Sequence, residues 1–144
     1  MTRFKHQVVI QKPLSKVFAY ATDLKNNIQW QKNLEKLNIT SGNSTGPGAT
    51  YHLVNRIMGQ RVEVNGIISE YEVDRQCVYK VISGPVTGQS RLTVEPSDSG
   101  TKVTIEAEAD LSMFRFLKSL VAGKAKKQLS CDLKLLKDVL EKQV

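Results

Sequence analysis

Long apolar runs are missing from this chain. No stretch of its 144 residues approaches the ~20 needed to cross a bilayer as a helix. The opening MTRFKHQVVIQ also lacks the extended apolar centre of a secretory signal, so a cytoplasmic protein is the expectation. Cysteine is scarce: Cys77 and Cys131 lie far apart and form no CxxC pair. They offer neither a zinc knuckle nor a disulfide framework, and each reads as a small buried hydrophobe. His6 and His52 are the only histidines, with no acidic residues at matching spacing, so no metal site is expected. GxSxG, Walker and dinucleotide glycine patterns are all missing. That sets aside serine hydrolysis and phosphoryl transfer, and no cofactor is expected.

Acidic residues are in the minority, 14 against 21 lysines and arginines, for a net charge of +7. The cations run along the whole chain, and only GKAKKQ (123–128) is dense. Aromatics make up 6%, and none stands beside that cluster, so the interleaved platform of a single-strand nucleic-acid binder is lacking. A solvated helix face accounts for the cluster. DNA is not expected as a partner; an anionic membrane or RNA surface is the alternative, through Lys118, Lys124, Lys126 and Lys127.

What is present suits a soluble globular domain: 40% hydrophobic and 24% charged residues, on a length that predicts one domain over 1–144. FKHQVVIQ (4–11) reads as a strand by its β-branched content, and Pro13 ends it and suits a helix start. In LSKVFAYATDL, Leu14, Val17, Phe18, Ala21 and Leu24 recur at three and four, the spacing of a short helix with one buried stripe. Thr22 or Asp23 can cap the next piece, LKNNIQW, which Ile28 and Trp30 would anchor.

Strands are predicted over 34–40, 49–58, 61–73, 76–82, 88–96 and 101–111. The links between them are rich in Gly, Pro, Asn, Asp and Ser, and are short enough for antiparallel meanders. With the first strand this makes a seven-stranded sheet. A two-residue turn at Gly59 and Gln60 would pair Ile57 with Val62, Arg56 with Glu63 and Tyr51 with Ile68. Tyr51, Leu53, Asn55, Ile57, Val62, Val64 and Ile68 then share the inner face, and His52, Arg56, Arg61, Glu63 and Asn65 the outer one. A second tight turn at Asp74 and Arg75 adds Glu70, Cys77, Tyr79 and Val81 to the inner set.

The segment from about Ser112 to Glu141 reads as one long helix. At about 100° per residue, Leu117, Leu120, Val121, Ala125, Leu129, Leu135, Leu136 and Val139 gather on one side. Lys124, Gln128 and Asp132 fall near the middle of that side, where burial without partners would cost several kcal/mol. A wet cavity, or rotation to the helix edge, would relieve them.

Strand, two short helices, six strands and a long C-terminal helix is an α+β order, that of the helix-grip fold. The chain resembles the START-like (SRPBCC, Bet v 1-like) superfamily, close to its polyketide cyclase/dehydrase and lipid-transport group. The likeness rests on VVIQKPLSKVFAYATD (8–23) followed by Trp30, GPGATY (46–51), EYEVDRQCVYKV (70–81), SGTKVTIEAE (99–108) and LKLLKDVLEK (133–142). It implies a curved antiparallel sheet gripping the long helix, with an apolar tunnel between them for a hydrophobic small molecule such as a lipid, polyketide or quinone. The loops after Pro47 and around Pro85 would flank the entrance.

The polar residues expected in such a pocket are Asn55, Glu70, Tyr79, Ser90 and Gln128. Its apolar lining is expected from Trp30, Tyr51, Ile57, Val64, Leu92, Ile105, Phe116, Leu120 and Val121. Glu70 opposite Tyr79 is the pair through which a cyclase- or dehydratase-like enzyme would move a proton; a hydrogen-bonded carboxylate near a sheet end is the alternative. His6 shares a face with Phe4, Val8 and Ile10 and reads as a core or rim residue. Binding or carriage of the ligand leads; enzyme and basic interaction module for a membrane or ribosome are the alternatives.

Overall fold

Pro13 sits where the first strand must stop. Its φ of −59° suits a helix start, and its carbonyl accepts the first helical bond from Val17 N at 3.1 Å. The computed structural model describes residues 1–143. Strand β1 (Thr2–Ile10) leads into α1 (Leu14–Thr22), a 3-10 turn (Leu24–Asn26) and α2 (Asn27–Trp30). The stripe Val17, Phe18 and Ala21 is buried. Asp23 is the cap of the 3-10 turn, its carboxylate accepting from Lys25 N at 3.1 Å.

Six strands follow: β2 (Leu34–Ile39), β3 (Thr50–Ile57), β4 (Gln60–Glu72), β5 (Gln76–Ser83), β6 (Gly88–Ser97) and β7 (Gly100–Ala109). They form one antiparallel seven-stranded sheet in the order β1-β7-β6-β5-β4-β3-β2. Pairing shifts by one residue at three places, next to Glu35, Ile82 and Ser69. Such bulges bend strands, and here they help curl the sheet around one concave face.

The β3–β4 hairpin corrects the expected register. Met58 and Gly59, with φ of 53° and 80°, form the turn, so Ile57 pairs with Gln60, Asn55 with Val62 and Tyr51 with Gly66. Both central residues at positive φ is the requirement of a type I′ turn. The pairing moves by two residues, which leaves the side chains of β3, and of β4 as far as Ile68, on their expected faces. The ion pairs do change: Glu35 takes Arg56 at 2.8 Å and Arg61 at 3.1 Å, while Glu63 meets His52 at 3.4 Å. The expected Arg56–Glu63 bridge is replaced because Arg56 now stands opposite Arg61.

The C-terminal segment is two elements. Ser112–Leu117 is a 3-10 stretch interrupted at Arg115 (φ 43°, ψ −108°), and α3 runs Lys118–Glu141. Helix α3 is rotated from the expected stripe, burying Val121, Leu133, Leu136 and Leu140 and leaving Leu117 and Leu120 half-exposed. Leu133, Leu136 and Leu140 join Ile10, Phe18, Trp30, Ile68 and Leu92 in the main core between helices and sheet. The helix end is tied to β1: Lys137 Nζ donates to Val9 O at 2.7 Å, and Gln11 N to Glu141 Oε2 at 2.8 Å.

Candidate functional site

The concave face is not filled along its whole length. A cavity of about 220 Å³ lies over β3–β6, floored by Tyr51, Leu53, Ile57, Val62, Val64 and Tyr79. The β5–β6 loop supplies Val86 and Thr87 along one side, so the loop around Pro85 does flank it. Ala109 at the end of β7 completes the wall. A larger hollow of about 360 Å³ lies on the opposite, outer face. There Arg3 meets Glu108 at 3.5 Å and Lys5 meets Glu106 at 3.9 Å, so its charged groups serve one another. The concave cavity, mostly apolar with a few polar groups, has the character of a ligand site.

Of the residues expected at the site, Tyr51, Asn55, Ile57, Val64, Tyr79 and Ser90 do line this cavity. Leu53, Val62, Val81, Val86 and Thr87 join them; Leu53, Val62 and Val81 were legible as inner-face residues, whereas Val86 and Thr87 sit in a loop that alternation does not reach.

The other expected residues lie elsewhere. Glu70 is on the outer face, because the bulge at Ser69 puts both Ser69 and Glu70 outside and returns Tyr71 inward against Phe18, ring centres 5.3 Å apart. Its carboxylate faces Arg91 at 3.5 Å. Trp30, Leu92 and Ile105 are core residues, buried against α1 and α3 and away from the cavity. Val121 belongs to a second cluster with Phe4 and Leu111. Phe116 is fully exposed and Leu120 half-exposed, both on the outer side of their segment.

Gln128 and Asp132 solve their burial problem without a cavity. Gln128 Nε2 donates to Asp132 Oδ1 at 2.7 Å, and Lys32 N donates to the same oxygen at 3.2 Å. They stitch α3 to the turn after α2. Burial pushes the Asp132 carboxyl upward, and those two bonds only partly offset it. Lys124 simply points to solvent.

Electrostatically the cavity is neutral inside. Burial raises the Tyr51 phenol well above its ordinary value, with a smaller push from Cys77. Burial also raises Tyr79, again reinforced by Cys77. The Cys77 thiol is pushed up to about 11 by burial, and a hydrogen bond with Tyr79 tempers the rise. Near neutral pH all three keep their protons, so both phenols are uncharged, and the Tyr79 hydroxyl donates to the Cys77 sulfur until a better acceptor replaces it. Lys80 and Glu108 touch only the rim, from outward-facing strand positions. His6 stands on the inner face opposite Ile105 but outside the cavity, and His52 is on the outer face. Among the described residues no group of three or more His, Cys, Asp or Glu converges as a metal site. No helix among them is long and apolar enough to cross a membrane.

Comparison with known proteins places this geometry. A family model described as polyketide cyclase / dehydrase and lipid transport matches residues 1–141. The crystal structure of TTHA0849 from Thermus thermophilus superposes with a TM-score of 0.83 at 18% identity, covering 95% of each chain. A START superfamily protein from Mycobacterium smegmatis gives 0.76 at 15% identity, over 96% of this chain and 97% of that one. Ara h 8.0201 gives 0.74 at 15% identity, over 99% of each. At such identities the likeness concerns the fold. No curated protein matches by sequence.

Proposed function

The chain belongs to the polyketide cyclase / dehydrase and lipid transport family, and on that footing we propose that its concave cavity binds a small, neutral, largely apolar molecule carrying a carbonyl or hydroxyl oxygen. One observation carries the reading: the lining of an apolar hollow includes two uncharged phenols, Tyr51 and Tyr79. A phenol O–H donates to an oxygen acceptor, and that directional bond orients the ligand. Asn55 and Ser90 add further donors or acceptors beside them. Size narrows the ligand class. About 220 Å³ is below the ~300 Å³ at which pockets for drug-sized ligands begin, so a single small ring system, or one end of a longer molecule, fits better than a whole lipid.

Binding is favoured over proton transfer. General acid–base work needs a group that titrates near the working pH. Glu70, the carboxylate that would have served, faces Arg91 outside. The phenols are raised away from neutrality. Titration with menadione, a neutral two-ring diketone, tests the proposal against naphthalene, which has the rings without the oxygens. Tyr79→Phe should weaken menadione binding roughly tenfold, the worth of about one buried hydrogen bond, and leave naphthalene unchanged. Equal loss for both, or none for either, would contradict it.

A further inference from the structure

The 3-10 stretch before α3 presents its large apolar side chains to solvent. Phe114 turns inward to pack with Leu111 and Ala109, whereas Phe116, two residues on, is 100% exposed. Between them the chain passes through Arg115 at φ 43°, a conformation that L-residues seldom adopt. Met113, Leu117 and Leu120 are 42%, 50% and 50% exposed around it. Four large apolar side chains at one end of the molecule are more than scattered exposure accounts for.

Within the segment that carries the patch the charge has one sign, with the Asp110 carboxylate at its border near Lys118. Between Asp110 and Asp132 there is no acidic residue, while Arg115, Lys118, Lys124, Lys126 and Lys127 all fall there. Leu117, Leu120, Lys124 and Lys127 are spaced by three, four and three, so they share one stripe of the helix. That stripe lies opposite buried Leu133, Leu136 and Leu140, with buried Val121 along its edge. Apolar side chains at the tip with cations just behind them is the arrangement of a segment lying in an anionic bilayer interface. An RNA surface would use the cations and leave Phe116 and Leu120 unexplained, and a second copy of this chain would bring the same positive charge against itself.

We propose that the surface formed by Met113, Phe116, Leu117 and Leu120, with Arg115, Lys118, Lys124 and Lys127, docks onto anionic phospholipid membranes. The surface adjoins the cavity: Ile57 and Ala109 line the cavity and also pack in the cluster that contains Phe114. A docked molecule therefore holds that end of its cavity close to the lipid. The docking stands on the exposed patch and its charge, and does not require that the cavity hold a ligand.

Flotation of the full chain with phosphatidylcholine vesicles, with and without phosphatidylglycerol, tests this. The protein should float with the phosphatidylglycerol vesicles only, and release steeply as salt rises. Phe116→Ser touches no core and should weaken partition roughly tenfold. Lys124→Gln and Lys127→Gln should each weaken it roughly fivefold. Failure to float, or flotation indifferent to Phe116→Ser, overturns the proposal. So does capture of single-stranded RNA without capture of vesicles. Self-association that Phe116→Ser abolishes, with no vesicle binding, overturns it as well.

Discussion

Tyr51 lays its ring across the backbone of Gly66, the residue directly opposite it on the neighbouring strand. A β-carbon at position 66 would fall inside the ring's contact distance, at its hydroxyl end. The glycine thus lets the ring lie flat along the cavity floor, with the phenol reaching toward β5 and its Cys77 and Tyr79. Glycine inside a strand usually marks such a close approach.

Gly66→Ala should therefore force the Tyr51 ring off the sheet, at about 1–3 kcal/mol of stability. Urea unfolding of Gly66→Ala, Tyr51→Ala and the double variant separates this clash from the loss of strand glycine as such. Once the ring is gone, the alanine penalty should vanish or reverse, because alanine suits a strand better than glycine.

Asp132 makes a pH prediction of the less common sign. Its folded carboxyl is raised above 3.8, so the folded state holds its proton more tightly than the unfolded chain does. Its contribution to stability is then greatest below the unfolded value and falls as pH climbs through the folded one. Asp132→Asn keeps an oxygen to accept from Gln128 Nε2 and Lys32 N while removing the charge. The variant's gain over the parent should grow as pH rises from about 3.8 and then level off. Glu35 and Glu141 act oppositely, lowered first of all by the arginine and lysine bonded to them, so only the difference between variant and parent isolates Asp132.

Side-chain faces on β3 and the start of β4 were legible because alternation has a period of two, and the β3–β4 slip by two residues preserves it. The turn itself was not, since nothing in a methionine announces the φ of 53° that Met58 adopts. Glu70 was misplaced for a related reason. A bulge at Ser69 consumes one residue without leaving a mark on the pattern and reverses the faces on the rest of β4. A three-residue turn at 73–75, in place of the expected two-residue turn at Asp74 and Arg75, restores them on β5. On α3 the periodicity identified apolar residues but not their partners. Leu133 and Leu140, outside the expected stripe, found the core, while Leu120, and Leu117 just before the helix, did not. The cavity wall from Val86 and Thr87 depends on how a loop folds back, and loops carry no period.

The central claim is that a small neutral molecule occupies the hollow between β3 and the β5–β6 loop. Magnetic resonance of methyl-labelled protein with bound menadione tests it most directly, through ring-to-methyl contacts. The account requires those contacts at Val62, Val64 and Val86, which line the hollow. Contacts confined to the outer face beside Arg3 and Arg91, or to the exposed surface at Leu117 and Leu120, would contradict it.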